Sequence, residues 1–201
     1  MQDIRAMKCQ KQSRLTFFRI RAYEILANSS YVLNTETKYS NQFMNSTEKI
    51  SFHIDALFGK GVSKVLPKDV EFAYSKKTGR IKSFGIKDKL IGTLRSDGGI
   101  ALTIFGASVF LNYSTFKENC IIPIEDALPF VSEGRSLFCK HVQWYGKNIK
   151  IGSEVVVIDK SNTVLAVGKS VVSQSQLGGR IGDVAVKIRE GIKSRGEQQN
   201  L

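Results

Sequence analysis

The 201-residue sequence predicts an α+β unit, one helix packed on an antiparallel meander, followed by a small closed β-barrel. Three observations carry this. Apolar residues repeat at helical spacing between Ile50 and Phe58. The hydrophobic period changes to two from Val70 onward. The last part of the chain strings short apolar runs between turn-forming residues. The composition, 42% hydrophobic and 24% charged, is that of an ordinary globular protein and excludes chain-wide disorder. No apolar stretch approaches the ~20 residues that a membrane-spanning helix requires.

Residues 1–45 read as an irregular basic extension. Within it, Leu15, Phe17, Phe18, Ile20, Tyr23, Ile25 and Leu26 mix with Arg14, Arg19 and Arg21, the pattern of a short basic amphipathic helix, and residues 28–45 have the Asn/Ser/Thr-rich composition of a linker. Met44 stands just ahead of the first well-formed element. The expectation is that translation starts there and that residues 1–43 come from an over-extended reading frame; a genuine RNA-binding arm is the alternative. A helix then begins near Ser46 or Thr47, either of which can cap it, with Glu48 in the positive first turn. Ile50, Ile54, Leu57 and Phe58 form its apolar stripe, and Gly59 is placed for a left-handed C-terminal cap. Val70, Phe72 and Tyr74 alternate along a first strand. Residues 76–79 make a hairpin turn, 81–86 the return strand, 90–94 a third strand, 96–99 a second turn and 100–105 a fourth strand. The α+β unit therefore occupies residues 46–117.

The barrel section spans residues 119–195, with a tail at 196–201. Residues 121–124 form a short strand, and Pro123 predicts that it lies at a sheet edge. Asp126 can cap a brief helix through Pro129 and Val131 that stops near Gly134. Residues 137–144 read as one strand. Residues 155–158 are a continuous apolar run, predicted to be buried on both faces. Residues 159–163 turn, 164–172 form another strand and 184–188 the last. Phe130, Phe138 and Val155 read as core; Trp144 and Tyr145 stand near a strand end, where one ring can be exposed.

Lys and Arg number 30 against 18 Asp and Glu, a net charge of +12, and the excess is spread along the chain rather than held in a tail. A folded basic surface calls for an acidic partner, most often nucleic acid. Cys9, Cys120 and Cys139 form no C-x-x-C pair, and His53 and His141 supply no metal-type spacing, so neither a metal site nor a disulfide framework is expected. With no secretory signal pattern in residues 1–25, the expectation is a reducing compartment. Phosphate-loop, G-x-S-x-G and H-E-x-x-H motifs are absent, and Gly59-Lys60-Gly61 lacks phosphate-loop spacing. His141 reads as a surface or barrel-rim histidine, and Asp126 and Glu133 as a helix cap and a solvated carboxylate. No cofactor and no enzyme activity are expected.

From residue 126 onward, Pro129-Phe130-Val131, Glu133-Gly134-Arg135-Ser136, Phe138-Cys139-Lys140-His141-Val142, Ile151-Gly152-Ser153-Glu154-Val155, Leu165-Ala166-Val167-Gly168 and Ala185-Val186-Lys187-Ile188-Arg189 occur in order. This pattern closely resembles the PUA domain, a pseudo-barrel that binds structured RNA. Upstream, Phe58-Gly59-Lys60-Gly61, Asp69-Val70-Glu71-Phe72, Tyr74-Ser75-Lys76-Lys77-Thr78-Gly79-Arg80-Ile81, Leu94-Arg95 and Leu102-Thr103-Ile104 are similar to the domain that precedes PUA in archaeal tRNA-guanine transglycosylase and its archaeosine synthase relatives. The full-length transglycosylase adds a large catalytic barrel with an aspartate nucleophile and a Cys/His zinc site. This chain has no room for that barrel and no cysteine cluster for that zinc, and the lysine-transfer motif of the synthase is not found. The resemblance implies the tRNA-binding tail of such an enzyme as a free-standing, non-catalytic chain in an archaeal cytoplasm.

In the family the PUA domain grips the acceptor end of tRNA. The resemblance implies RNA-binding roles for Gly134, Arg135, Ser136, Lys140, His141, Gly152, Lys187 and Arg189. A glycine lets the backbone approach RNA, Arg135 can fork onto a phosphate, and Lys187 and Arg189 share one strand face because they lie two apart. Lys76, Lys77 and Arg80 flank a hairpin turn, either as edge-protecting charges or as an accessory RNA patch. The partners implied are structured RNA, tRNA above all, and a separate transglycosylase catalytic subunit, with no membrane and no metal. Two further readings stand: a factor acting on ribosomal RNA or in ribosome assembly, and a small enzyme with an unrecognised site.

Overall fold

The structure, a computed structural model, describes residues 44–179 and 182–194; the readings of residues 1–43 and of the tail lie outside the described residues. Helix α1 spans Ser46–Phe58. Its cap is Asn45 rather than Ser46 or Thr47. The Asn45 carboxamide oxygen accepts from the Glu48 N–H at 2.7 Å, and the Glu48 carboxylate accepts from the Asn45 N–H at 3.1 Å, a reciprocal capping box. Glu48 three residues on from Asn45 decides the position, and the Ser46 hydroxyl bonds Tyr74 instead, at 2.8 Å. The buried stripe is Ile50, Ile54 and Phe58, while Leu57 is exposed. Gly59 is not left-handed (φ 118°, ψ 147°). The left-handed residue is Gly61, because the Asp55 carboxylate draws the N–H groups of Gly61 and Ser63 back over the helix end at 2.9 and 2.8 Å.

Strands β1 (Glu71–Tyr74), β2 (Ile81–Ile86), β3 (Lys89–Leu94) and β4 (Ile100–Leu102) form the antiparallel meander in sequence order. The fourth strand stops three residues earlier than its alternation predicts. Thr103 ends it by capping helix α2 (Ile104–Phe110), its hydroxyl accepting from the Gly106 N–H at 3.0 Å. Gly106 lets α2 lie flat on β3: a Cβ there would collide with the Ile91 carbonyl.

The second sheet contains β5 (Cys120–Pro123), β6 (Leu137–Phe138), β7 (Val142–Tyr145), β8 (Glu154–Ile158), β9 (Val164–Ser170) and β10 (Val184–Gly191). Its order is β6-β10-β9-β8-β5-β7, antiparallel except for β5 beside β8. The two end strands are consecutive in the chain, joined by the 3-10 turn Cys139–His141, so the sheet nearly closes on itself. The predicted single strand over 137–144 is thus two strands with a corner between them. Pro123 does not mark an edge: β5 lies between β7 and β8, and the proline sits at its end beside a register shift, where its missing N–H costs the ladder little. Helix α3 (Leu128–Ser132) follows a 3-10 turn, and Ala127, not Asp126, occupies its cap position.

The predicted two-faced burial of β8 links two cores. Val155 and Val157 face the barrel interior with Ile121, Ala166 and Val186. Val156 and Ile158 pack outward, with Val164 and Val167 of β9, against the residues of α1, α2 and the meander. Phe58, Phe110 and Phe116 centre that outer core, ring centroids 5.5–5.9 Å apart.

Candidate nucleic-acid interface

The expected RNA-binding residues fall into three places. The first is the end of α3. The Gly134 N–H donates to the Val131 carbonyl at 2.9 Å and the Arg135 N–H to the Phe130 carbonyl at 2.9 Å, the paired closure of a helix by a left-handed glycine (φ 93°). This places the Arg135 guanidinium over the Phe130 ring, 5.2 Å from its centroid, with Glu133 3.5 Å away. Phe130 is 50% exposed and Phe138 41%, so neither is the core residue its apolarity predicts; Val155 is fully buried. Residues 191–194 turn back beside this corner: the Lys193 N–H donates to the Ser132 carbonyl at 2.9 Å, leaving the lysine side chain exposed. Lys193 lies after the last apolar strand position, where the sequence offers no signal for it. Pairing of Leu137 with Val186 brings exposed Ser136 level with exposed Lys187.

Lys140 and His141 occupy the second place, the corner between β6 and β7. The Cys139 N–H donates to the Asp183 carbonyl at 2.9 Å, just before β10 begins, whereas Gly134 adjoins Gly191 at its other end. The segment from Gly134 to Cys139 runs alongside β10, so the two groups lie at most about 18 Å apart. Lys140 is exposed and His141 half-buried.

The third place is the junction of barrel and meander. Arg189 lies at a register shift in β10 and turns to Glu154, whose side chain is 2% exposed. Its guanidinium bonds both carboxylate oxygens, one at 3.1 Å, and also the Leu102 carbonyl. The other donors to Glu154 are the Leu102 N–H at 2.9 Å and Arg95 at 3.4 Å. Arg189 and Lys187 are therefore not equivalent although two apart, because a buried carboxylate demands a cation and takes the nearer one. Gly152 (φ 79°) belongs here too. Its N–H is spent on the Ser170 carbonyl at 2.8 Å, and its carbonyl accepts from Arg95 at 3.0 Å. Lys169 reaches Asp97 at 3.2 Å.

The electrostatics follow this geometry. Burial pushes the Glu154 carboxyl above its ordinary range, opposed by the Arg189 bonds. The Gly99 N–H, Arg95 and Lys169 hold Asp97 down to about 2. Burial pushes the Cys120 thiol up to about 12, which suits core packing rather than nucleophilic chemistry. Among the described residues no group of His, Cys, Asp and Glu could hold a metal ion, and no helix is long and apolar enough to cross a membrane. Lys76, Lys77 and Arg80 project from the β1–β2 turn, all exposed. Trp144 is 36% exposed with Lys117 over its ring at 5.6 Å, while Tyr145 is half-buried.

Comparison with known families matches the PUA domain to residues 124–192 and the patch-forming domain C2 of tRNA-guanine transglycosylase to residues 52–116. The chain joins a transglycosylase C2 domain to a PUA domain. The tRNA-guanine(15) transglycosylase of Thermoplasma volcanium is 34% identical over 72% of this chain, and that of Thermoplasma acidophilum 29% identical over 85%. That of Thermococcus onnurineus is 31% identical over 68%. The matches lie in the C-terminal part of those enzymes, and the chain spans 23%, 28% and 23% of their respective lengths. Among solved structures, a hypothetical protein of Pyrococcus horikoshii OT3 superposes with a TM-score of 0.57 at 19% identity, covering 74% of this chain and 91% of its own. A PUA domain from Aeropyrum pernix K1 superposes with a TM-score of 0.53 at 14% identity, covering 74% of this chain and 83% of its own. These two establish the likeness in fold.

Proposed function

We propose that this C2–PUA chain is a non-catalytic RNA-binding protein of the cytoplasm that holds the acceptor end of tRNA for a separate archaeosine-type transglycosylase. The observation that carries this reading is the corner at Gly134. There Arg135 lies over an exposed Phe130 beside Lys193, in the domain type that the comparisons identify. An exposed ring stacked with a guanidinium is a surface on which an unpaired base can stack while a phosphate takes the remaining donors. Ser136 and Lys187 continue that surface along β10, and Lys140 and His141 offer a second contact further along the same strand. Arg189 and Gly152 instead anchor the barrel to the C2 domain, through the Leu102 carbonyl and Arg95.

The test is binding of labelled tRNA across a salt series. Arg135→Ala with Lys187→Ala is expected to weaken binding and to lower the slope of log K against log salt by about two, one per lost phosphate contact. An unchanged slope refutes these contacts. Capture from archaeal cells checks the partner: tRNA with a transglycosylase supports the reading, whereas ribosomal RNA without that enzyme replaces it with ribosome assembly.

A further inference from the structure

A groove of about 720 Å³ runs through the C2 domain, away from the corner at Gly134. One wall is α1, one is the β1–β2 hairpin, and the third is the β3–β4 turn. His53 braces α1 to that turn by donating to the Gly98 carbonyl at 2.6 Å. Lys49, Arg80 and Lys82 line the groove. All three are exposed, and among the described residues none is engaged by a carboxylate. No Asp or Glu lines the groove at all. Two smaller grooves, of about 270 and 350 Å³, carry Glu71 with Asp88, and Asp97 with Glu154. Of these three concave surfaces, only the largest is free of negative charge.

We propose that this groove is a second RNA track that holds a phosphodiester backbone without reading its sequence. The inference rests on the RNA-binding reading above and extends it to the C2 domain. Three unpaired cations around one concavity reinforce each other's field; no carboxylate lines it, and Asp97 beside it is already held by Arg95 and Lys169. The hydroxyls of Ser75 and Thr78 offer neutral donors at the hairpin wall. No Phe, Tyr or Trp ring lines the groove, and the His53 ring that does is tied to the Gly98 carbonyl, so base stacking is not what the groove is built for. Lys76 and Lys77, exposed in the same turn between the lining residues Ser75 and Thr78, add to the positive field beside it. Their charge thereby serves the RNA as well as the sheet edge.

The experiment uses the whole chain, labelled tRNA and two unstructured RNAs of different sequence. Lys49→Gln/Arg80→Gln/Lys82→Gln is expected to lower the salt slope by about two to three and to weaken binding at least about tenfold on every RNA alike, with an unchanged thermal midpoint. Retained affinity and slope in this variant, beside a loss in the Arg135/Lys187 variant, overturns the groove while leaving the PUA-face reading intact. A loss confined to one RNA sequence also overturns it, because a backbone track cannot discriminate. Absence of RNA binding by the unmodified chain overturns both readings. If the triple variant fails to fold, Lys49→Gln and Lys82→Gln are measured singly; each is expected to lower the slope by about one, and no change in either overturns the proposal.

Discussion

Replacing Glu154 by alanine removes the carboxylate on which barrel and meander converge. The side chain is 2% exposed and accepts from the Leu102 N–H, from Arg189 and from Arg95. Its loss orphans a buried N–H, which costs about 1–3 kcal/mol. It also leaves Arg189 without its counter-charge, although Arg95 keeps Asp97 at 3.0 Å, and breaking a fully buried pair in this way costs about 3–5 kcal/mol. Arg95 and Arg189 are 21% and 39% exposed, so water recovers part of that charge term. The expected net loss is about 2–4 kcal/mol, which for a domain of this size lowers the melting temperature by roughly 4–16 °C. Thermal and urea unfolding measure it directly. Glu154→Gln keeps an acceptor for the Leu102 N–H and is expected to lose less. Glu154→Leu with Arg189→Met replaces the pair by apolar groups and is expected to recover much of the single-variant loss. A loss below about 0.5 kcal/mol for Glu154→Ala, in the range of an ordinary surface substitution, would refute the argument that this carboxylate joins the two cores.

Two further outcomes follow from packing and charge. Gly106→Ala drives a Cβ into the Ile91 carbonyl, so α2 must lift off β3; a stability loss of about 2 kcal/mol or more is expected in urea unfolding. Asp97 is held at about 2, below its ordinary value of 3.8. Its contribution is therefore fully present above pH 4 and is lost as pH falls from about 4 through about 2. Unfolding measured over that range should show a shallower acid loss for Asp97→Asn, and identical pH profiles for the two proteins would exclude the contribution.

Much of the fold was legible because local physics set it. The return strand at Ile81–Ile86 and the turn before it follow from alternation and turn chemistry, and the doubly buried run in β8 from an unbroken apolar stretch, each over a few residues. Helix α2 was not legible in the same way. Residues 100–105 alternate well enough for a strand, and only the fit of Gly106 onto Ile91 explains why the chain turns at Thr103. The split of residues 137–144 likewise depends on the near closure of the sheet. Each strand of that segment pairs with a neighbour distant in sequence, β6 with β10 and β7 with β5.

The candidate interface divides along the same line. Composition and the ordered motifs established by themselves that the surface is basic, that a C2-like unit precedes a PUA barrel, and that Gly134 ends a helix. They could not say which cations are free. Arg135, Lys187 and Arg189 look alike along the chain, as do Lys82 and Arg95. Glu154 claims Arg189 from 35 residues away and Arg95 from 59, and Asp97 claims Lys169 from 72. Coulomb attraction depends on distance and burial in space, and both arise only when strands from separate parts of the chain meet.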